Sequence, residues 1–170
     1  MTLTRAASAT LTLVALAAVA ACSTEPTYDA GELAAKVVAE QEEVTPDLEV
    51  VEGSCEEDVP LEVDEVIGCT VLIDGVEAPY DVTVTALEDE TARYEISPAR
   101  AIISVQAVVD ALQAELEGQG VSGVEVDCGA DAVRVEDPDT SFTCGLSLGG
   151  QTREATVTVQ DLQGNVRYEF

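Results

Sequence analysis

The chain of 170 residues has no histidine and a single lysine, Lys36. Seven basic residues stand against 34 acidic ones, for a formal net charge of -27. Each shortage removes a class of function. Without histidine there is no Ser–His or Cys–His catalytic pair. A serine–lysine device would need Lys36, which lies between Ala35 and Val37 with no Ser-x-x-Lys ahead of it. So few cations leave no basic patch for phosphates, which excludes nucleic acid as a partner. The same shortage excludes direct electrostatic adsorption to anionic lipid. The acidic excess keeps a chain soluble and steers cations or basic partners toward it.

Long apolar runs are also scarce. The one at the start, Leu11 to Ala20, is too short for a spanning helix of about 20 residues. It follows a lone Arg5 and ends in Val19-Ala20-Ala21-Cys22. This pattern resembles a bacterial lipoprotein signal. The resemblance implies removal of residues 1–21 and diacylation of Cys22, which then anchors the chain to the cell membrane on its extracytoplasmic side. Two acyl chains hold stably where one holds marginally. Residues 22–28 would form the anchor and a short tether.

What is present is a pattern written twice. Cys55, Cys69, Asp74-Gly75, Tyr80 to Val84 and Arg93-Tyr94-Glu95 recur as Cys128, Cys144, Gly149-Gly150, Ala155 to Val159 and Arg167-Tyr168-Glu169. The words VTV and RYE are shared at offsets of 75 and 74 residues, and the first cysteines at 73. An internal duplication is therefore expected, with one copy over 29–98 and the other over 99–170. Ser97-Pro98 marks the boundary.

Five cysteines is an odd number. Lipidation of Cys22 leaves two per copy, and export places them where disulfides persist. Repeat logic pairs Cys55 with Cys69 and Cys128 with Cys144, out of three connectivities. Metal binding by the four is the alternative, but they lack Cys-x-x-Cys spacing and histidine.

Each copy opens with a helix. Tyr28 to Val44 has Asp29 as cap and Glu32 three residues on, and presents Leu33, Val37 and Val44 on one face, with Ala34 and Val38 beside them. Ser104 caps the second helix, whose stripe is Val105, Val108, Val109, Leu112 and Leu116. Strands follow: Leu48 to Val51 running into Cys55, then Cys69–Val71–Ile73, Tyr80–Val82–Val84–Ala86 and Ala92 to Ile96. In the second copy they are Val124–Val126, Val133–Val135, Cys144–Leu146–Leu148 and Val157–Val159, with a turn at Gln163-Gly164-Asn165. The expected fold is α+β: two tandem repeats, each one helix packed on a three- to four-stranded antiparallel meander with one internal disulfide. Each copy has about 70 residues, a size at which a core alone is marginal and a bridge adds much.

Val126-Asp127-Cys128, Phe142-Thr143-Cys144, Val157-Thr158-Val159 and Gly164-Asn165-Val166-Arg167-Tyr168 resemble a small domain of actinobacterial lipoproteins, the domain of unknown function numbered four thousand three hundred and thirty-three. The first copy departs from it, with Ile67-Gly68-Cys69 in place of Phe-x-Cys, and Glu56 and Gly129 stand where members carry proline. The resemblance implies location and fold, and no catalytic residue.

No catalytic residue, cofactor or metal ligand is assigned. Carboxylate pairs could serve acid–base catalysis, but none of the 34 stands out as a pair. The loop holding Glu56, Glu57, Asp58, Glu62, Asp64 and Glu65, matched by Asp137 and Asp139, has oxygen ligands suited to calcium but no EF-hand spacing. The function expected is a non-catalytic binding module at the cell envelope, docking an envelope protein or wall component. The alternative is a structural spacer lipoprotein without a specific ligand. A contiguous apolar patch outside the core separates the two.

Overall fold

The computed structural model describes residues 27–88 and 91–170. The expected signal segment, Cys22 and the tether as far as residue 26 lie outside the described residues. So do positions 89 and 90 of one expected turn.

Helix α1 spans Ala30–Val44. The Asp29 carboxylate accepts the Glu32 N–H at 2.8 Å, so one orphan donor of the first turn is satisfied. Leu33, Ala34, Val37 and Gln41 are buried. Two of these positions correct the expected face. Val44 is 73% exposed, and the buried place one turn past Val37 belongs to Gln41. Thr45 caps the helix there, so Val44 is its last residue. Gln41 is tolerated inside because its amide is bonded on both sides. Its oxygen accepts the Tyr80 hydroxyl, and its nitrogen donates to Thr45 Oγ1 at 2.7 Å.

Four strands follow: β1 (Val50–Cys55), β2 (Val66–Ile73), β3 (Val76–Glu88) and β4 (Thr91–Pro98). They form one antiparallel sheet in sequence order. Asp74 and Gly75, at φ 45° and 81°, make the tight turn between β2 and β3. Ile67, Cys69, Val71 and Ile73 point inward from β2 and meet Ala78, Tyr80, Val82 and Val84 of β3. A bulge follows Val84, which leaves Ala86 only half-buried. Gly53 lets α1 approach β1 closely, since a Cβ there would lie 2.9 Å from Val38 Cγ2.

Next come β5 (Ala101–Ser104), α2 (Val105–Gly118), β6 (Glu125–Asp127), β7 (Val133–Glu136), β8 (Ser141–Leu148), β9 (Gln151–Val159) and β10 (Val166–Glu169). Strands β6, β8, β9 and β10 form a second antiparallel sheet in that order, while β5 and β7 pair as a separate ribbon. Ser104 caps α2 by accepting the Ala107 N–H, and Val105, Val108, Leu112 and Leu116 are buried. Strand β5 was not expected from the sequence, because its partner lies some thirty residues on. The protein is thus mixed α+β, with two helices, antiparallel sheets and two disulfides.

The bridges join Cys55 to Cys69 and Cys128 to Cys144. Cys55 and Cys69 face each other directly in the β1–β2 register. Cys128 follows Asp127, which faces Gly145, so the second bridge also spans adjacent strands. Cys69, Cys128 and Cys144 are buried. Each bridge therefore fixes strand register from within the core.

One backbone detail occurs in both halves. Asp64 (φ 71°) donates its N–H to Val84 O, and the Val84 N–H returns to Glu65 O. Asp139 (φ 66°) donates to Val159 O, and the Val159 N–H returns to Thr140 O. The halves also share a core contact. Val133 belongs to the first cluster of buried residues, with Ile102 and Val135 packed against it. Arg100 Nε meets Asp137 Oδ1 at 3.0 Å, tying the chain ahead of β5 to the end of β7.

Two outcomes follow from this packing. Gly164 has φ 78°, and a Cβ there would lie 2.7 Å from Ile102 O. Gly164→Ala is therefore expected to destabilise by about 2 kcal/mol or more, read as a lower urea midpoint with unchanged slope. The double change Cys128→Ser/Cys144→Ser is expected to cost about 3 kcal/mol in the same titration, since the bridge closes a loop of about 15 residues.

Candidate functional site

The acidic loop between Cys55 and Cys69 is organised by its own backbone rather than around a central point. The Glu56 carboxylate accepts the Gly68 N–H at 3.2 Å, and its carbonyl accepts the Tyr28 hydroxyl. Asp58 and Asp64 take left-handed conformations at φ 60° and 71°. Leu61 turns inward and is buried. In the matching loop Asp137 is engaged by Arg100. Among the described residues no three Asp, Glu or Cys side chains come together so as to hold a metal ion.

Several concave surfaces occur among the described residues. A groove of about 600 Å³ lies where the start of α1 meets the ends of β3 and β4, lined by Tyr28, Glu32, Lys36, Leu61, Leu87 and Tyr94. The Lys36 ammonium stands 5.8 Å from the centroid of the Tyr94 ring, within cation–π range. A crevice of about 500 Å³ runs between the halves, past Thr45, Leu48, Ile102, Val108, Asn165 and Tyr168. A smaller hollow of about 270 Å³ shares Val44, Thr45, Ile102 and Gln163 with that crevice, and Tyr80 and Leu162 line it too.

Another groove, of about 370 Å³, lies at the far end of the second sheet. Leu116, Val124 and Leu146 line its floor, and Val121, Leu148 and Phe170 its rim. The rim residues are 37%, 45% and 59% exposed. The register explains the opening. Leu146 faces Arg153 and Leu148 faces Gln151, so all four lie on the sheet face that α2 covers. Helix α2 stops at Gly118 and leaves the end of the β8–β9 hairpin bare. Arg93, Arg100, Arg134 and Arg167 each reach a carboxylate. Arg153 reaches none among the described residues and stands exposed in this groove.

The sequence placed Leu148 on the right face and left open whether an apolar patch exists. It missed Val121 and Arg153. The signal for them was the early stop at Gly118 and Gly120, which ends α2 before the strands below it end.

The crevice between the halves is shaped by the loop after β9. The Asp161 carboxylate accepts from Asn165 Nδ2 at 2.8 Å and from the Gln163 and Asn165 N–H groups. These bonds, the Asn165 side chain first, hold Asp161 below the usual carboxylate range. The hydroxyls of Tyr28, Tyr80, Tyr94 and Tyr168 are all pushed above the usual tyrosine value, chiefly by burial. Tyr80 is raised furthest, with Glu40 adding to the effect.

No protein-family model matches the chain, and neither a curated protein nor a solved structure matches it.

The tyrosines generate a pH prediction. A folded-state value raised above the unfolded one contributes stability that is present below about pH 10 and lost as pH rises beyond it. Urea midpoints are expected to hold level between pH 7 and 9.5 and fall above pH 10. Tyr80→Phe should soften that fall. It should also lower stability at pH 7 by about 1–3 kcal/mol, because the buried Gln41 oxygen loses its donor.

Proposed function

We propose that the chain is a lipid-anchored, extracytoplasmic binding module without catalytic activity, built from two tandem copies of one α+β unit. The observation that carries the binding reading is the groove rimmed by Val121, Leu148 and Phe170. Three of the exposed large apolar side chains converge there around apolar floor residues. Isolated exposed aliphatics are ordinary on a protein surface, whereas a contiguous patch marks a contact.

The tandem reading is supported by correspondence at an offset of 75 residues. It relates the helix caps Asp29 and Ser104, the second cysteines Cys69 and Cys144, and the left-handed Asp64 and Asp139 with their reciprocal bonds to Val84 and Val159. The strand orders β1-β2-β3-β4 and β6-β8-β9-β10 agree with it. The anchored location rests on the sequence Val19-Ala20-Ala21-Cys22. The likeness of the Val126 to Tyr168 segment to the actinobacterial lipoprotein domain agrees with both. In this reading the acidic coat holds the chain soluble, and Cys22 supplies the membrane attachment that the charge opposes.

The test is photo-crosslinking in intact cells. A photoreactive amino acid at position 148 is expected to capture one reproducible partner that the same probe at exposed Glu77 does not. Identical capture of abundant neighbours from both positions would overturn the binding reading in favour of a spacer. Cys22→Ala is expected to release the chain from the membrane fraction.

A further inference from the structure

In a chain carrying -27, a cation with no carboxylate beside it stands out. Arg93, Arg100, Arg134 and Arg167 are each held by one. Lys36, the single lysine, reaches none among the described residues and is exposed in the groove of about 600 Å³ at the start of α1. Glu32, one turn earlier, lines the same groove, and its carboxylate joins no ion pair among the described residues. Residues four apart on a helix have Cβ atoms about 5–6 Å apart. The two charges are thus neighbours that leave each other free. Exposed pairs of this kind are worth little in any case, so a ligand that engages both displaces almost nothing. The nearby Asp29 carboxylate is already taken by the Glu32 N–H. Leu61 and Leu87 give the groove apolar walls, and Tyr28 and Tyr94 add two rings. The Lys36 ammonium lies 5.8 Å from the centroid of the second.

The groove also adjoins the expected anchor. Thr27 lines it, five residues after Cys22. At about 3.3–3.6 Å per residue, that length of chain reaches at most about 18 Å. An acylated Cys22 would therefore hold the groove within that distance of the lipid. The second half, farther along the chain, lacks the charges. At an offset of 75 residues Glu32 and Lys36 become Ala107 and Ala111. The caps Asp29 and Ser104 and the buried Leu33 and Val108 still correspond. The helix of such a unit therefore forms without the charged pair, which belongs to the copy beside the tether.

We propose that this groove seats the headgroup of a zwitterionic phospholipid of the anchoring membrane. The proposal rests on the anchored reading above and concerns a site apart from the groove at Leu148. Lys36 takes the phosphate. Glu32 and the tyrosine rings take the ammonium group, which aromatic faces attract. Leu61 and Leu87 meet the apolar end of the headgroup. Local charge selects a ligand of both signs. A bare phosphate would meet Glu32 as well as Lys36, and a bare ammonium would meet Lys36 as well as Glu32. Net charge selects in the same direction, because anionic lipid repels an acidic chain and zwitterionic lipid does not. The short tether raises the local concentration of headgroups, so a weak contact is enough to fill the groove.

The single lysine supplies the probe. An uncharged acetylating ester modifies Lys36 and the terminal amine, and peptide mass mapping separates the two. The first arm adds dihexanoyl-phosphatidylcholine, kept monomeric, to the full chain and does not depend on Cys22. Acetylation of Lys36 is expected to slow saturably, by about tenfold at ten times the half-protecting concentration. Inorganic phosphate alone and choline alone are expected to leave the rate unchanged. Glu32→Gln is expected to raise the half-protecting concentration at least about threefold, and Glu40→Gln, which removes the same charge outside the groove, to leave it unchanged. Equal urea midpoints check that both variants fold. No saturable slowing by the lipid, equal slowing by phosphate or choline, or an unchanged value in Glu32→Gln would overturn the proposal. The second arm floats the acylated chain on vesicles of phosphatidylcholine or of phosphatidylglycerol, with slower acetylation of Lys36 expected on the first. A chain that floats but reacts alike on both would overturn the proposal and keep the anchor. A chain that does not float would reject the anchored reading, and the first arm would still decide whether the groove takes a headgroup.

Discussion

Register between the first and second strand of each sheet is the constraint on which the rest depends. Side chains alternate along a strand, so a slip of one residue would turn a whole apolar set outward. In the first sheet Cys55 stands opposite Cys69, and the bridge between them permits one alignment. Val71 and Ile73 are then carried inward, and the turn at Asp74-Gly75 returns Ala78, Tyr80 and Val82 to the same face. The second sheet repeats the logic from Cys144 through Leu146 to Ala155 and Val157. Cores this small leave little margin, and a bridge of about 3 kcal/mol is comparable with the net stability such a unit reaches alone. The first core goes further and takes Val133 from beyond its own half.

Much of this was legible before any coordinates. Periodicity marked both helices, their caps and the inward faces of β2, β3, β8 and β9, because alternation and helical spacing reflect burial directly. The cysteine pairing followed from the written repeat. What escaped was non-local. Strand β5 exists only because β7, some thirty residues later, pairs with it. Gln41 is polar and reads as surface, yet Tyr80 and Thr45 make its burial affordable. Val44 reads as core by spacing but is the helix's last residue and is left exposed at the crevice between the halves. The exposed groove was invisible for the same reason, since its rim draws on the segment after α2, a hairpin end and the residue after β10.

The edges of the two sheets bear on which surfaces remain for contact. Unpaired edge strands invite other strands, and charges along them blunt that tendency. Strand β4 turns Thr91, Arg93, Glu95 and Ser97 outward, and β10 turns Arg167 and Glu169. Docking by strand addition would therefore meet charged edges. The groove at the end of α2 carries apolar rim residues beside Arg153 and Glu154. Contact through faces at the ends of the units fits this distribution better than contact through edges.

The acidic excess and the bare groove then make a consistent pair. An exposed apolar end on a neutral protein is an aggregation hazard. A chain carrying -27 keeps identical copies apart over distances beyond the Debye length and lets apolar contact decide only when surfaces meet closely. Confinement by an anchor at Cys22 would raise the effective concentration of neighbours without adding any contact.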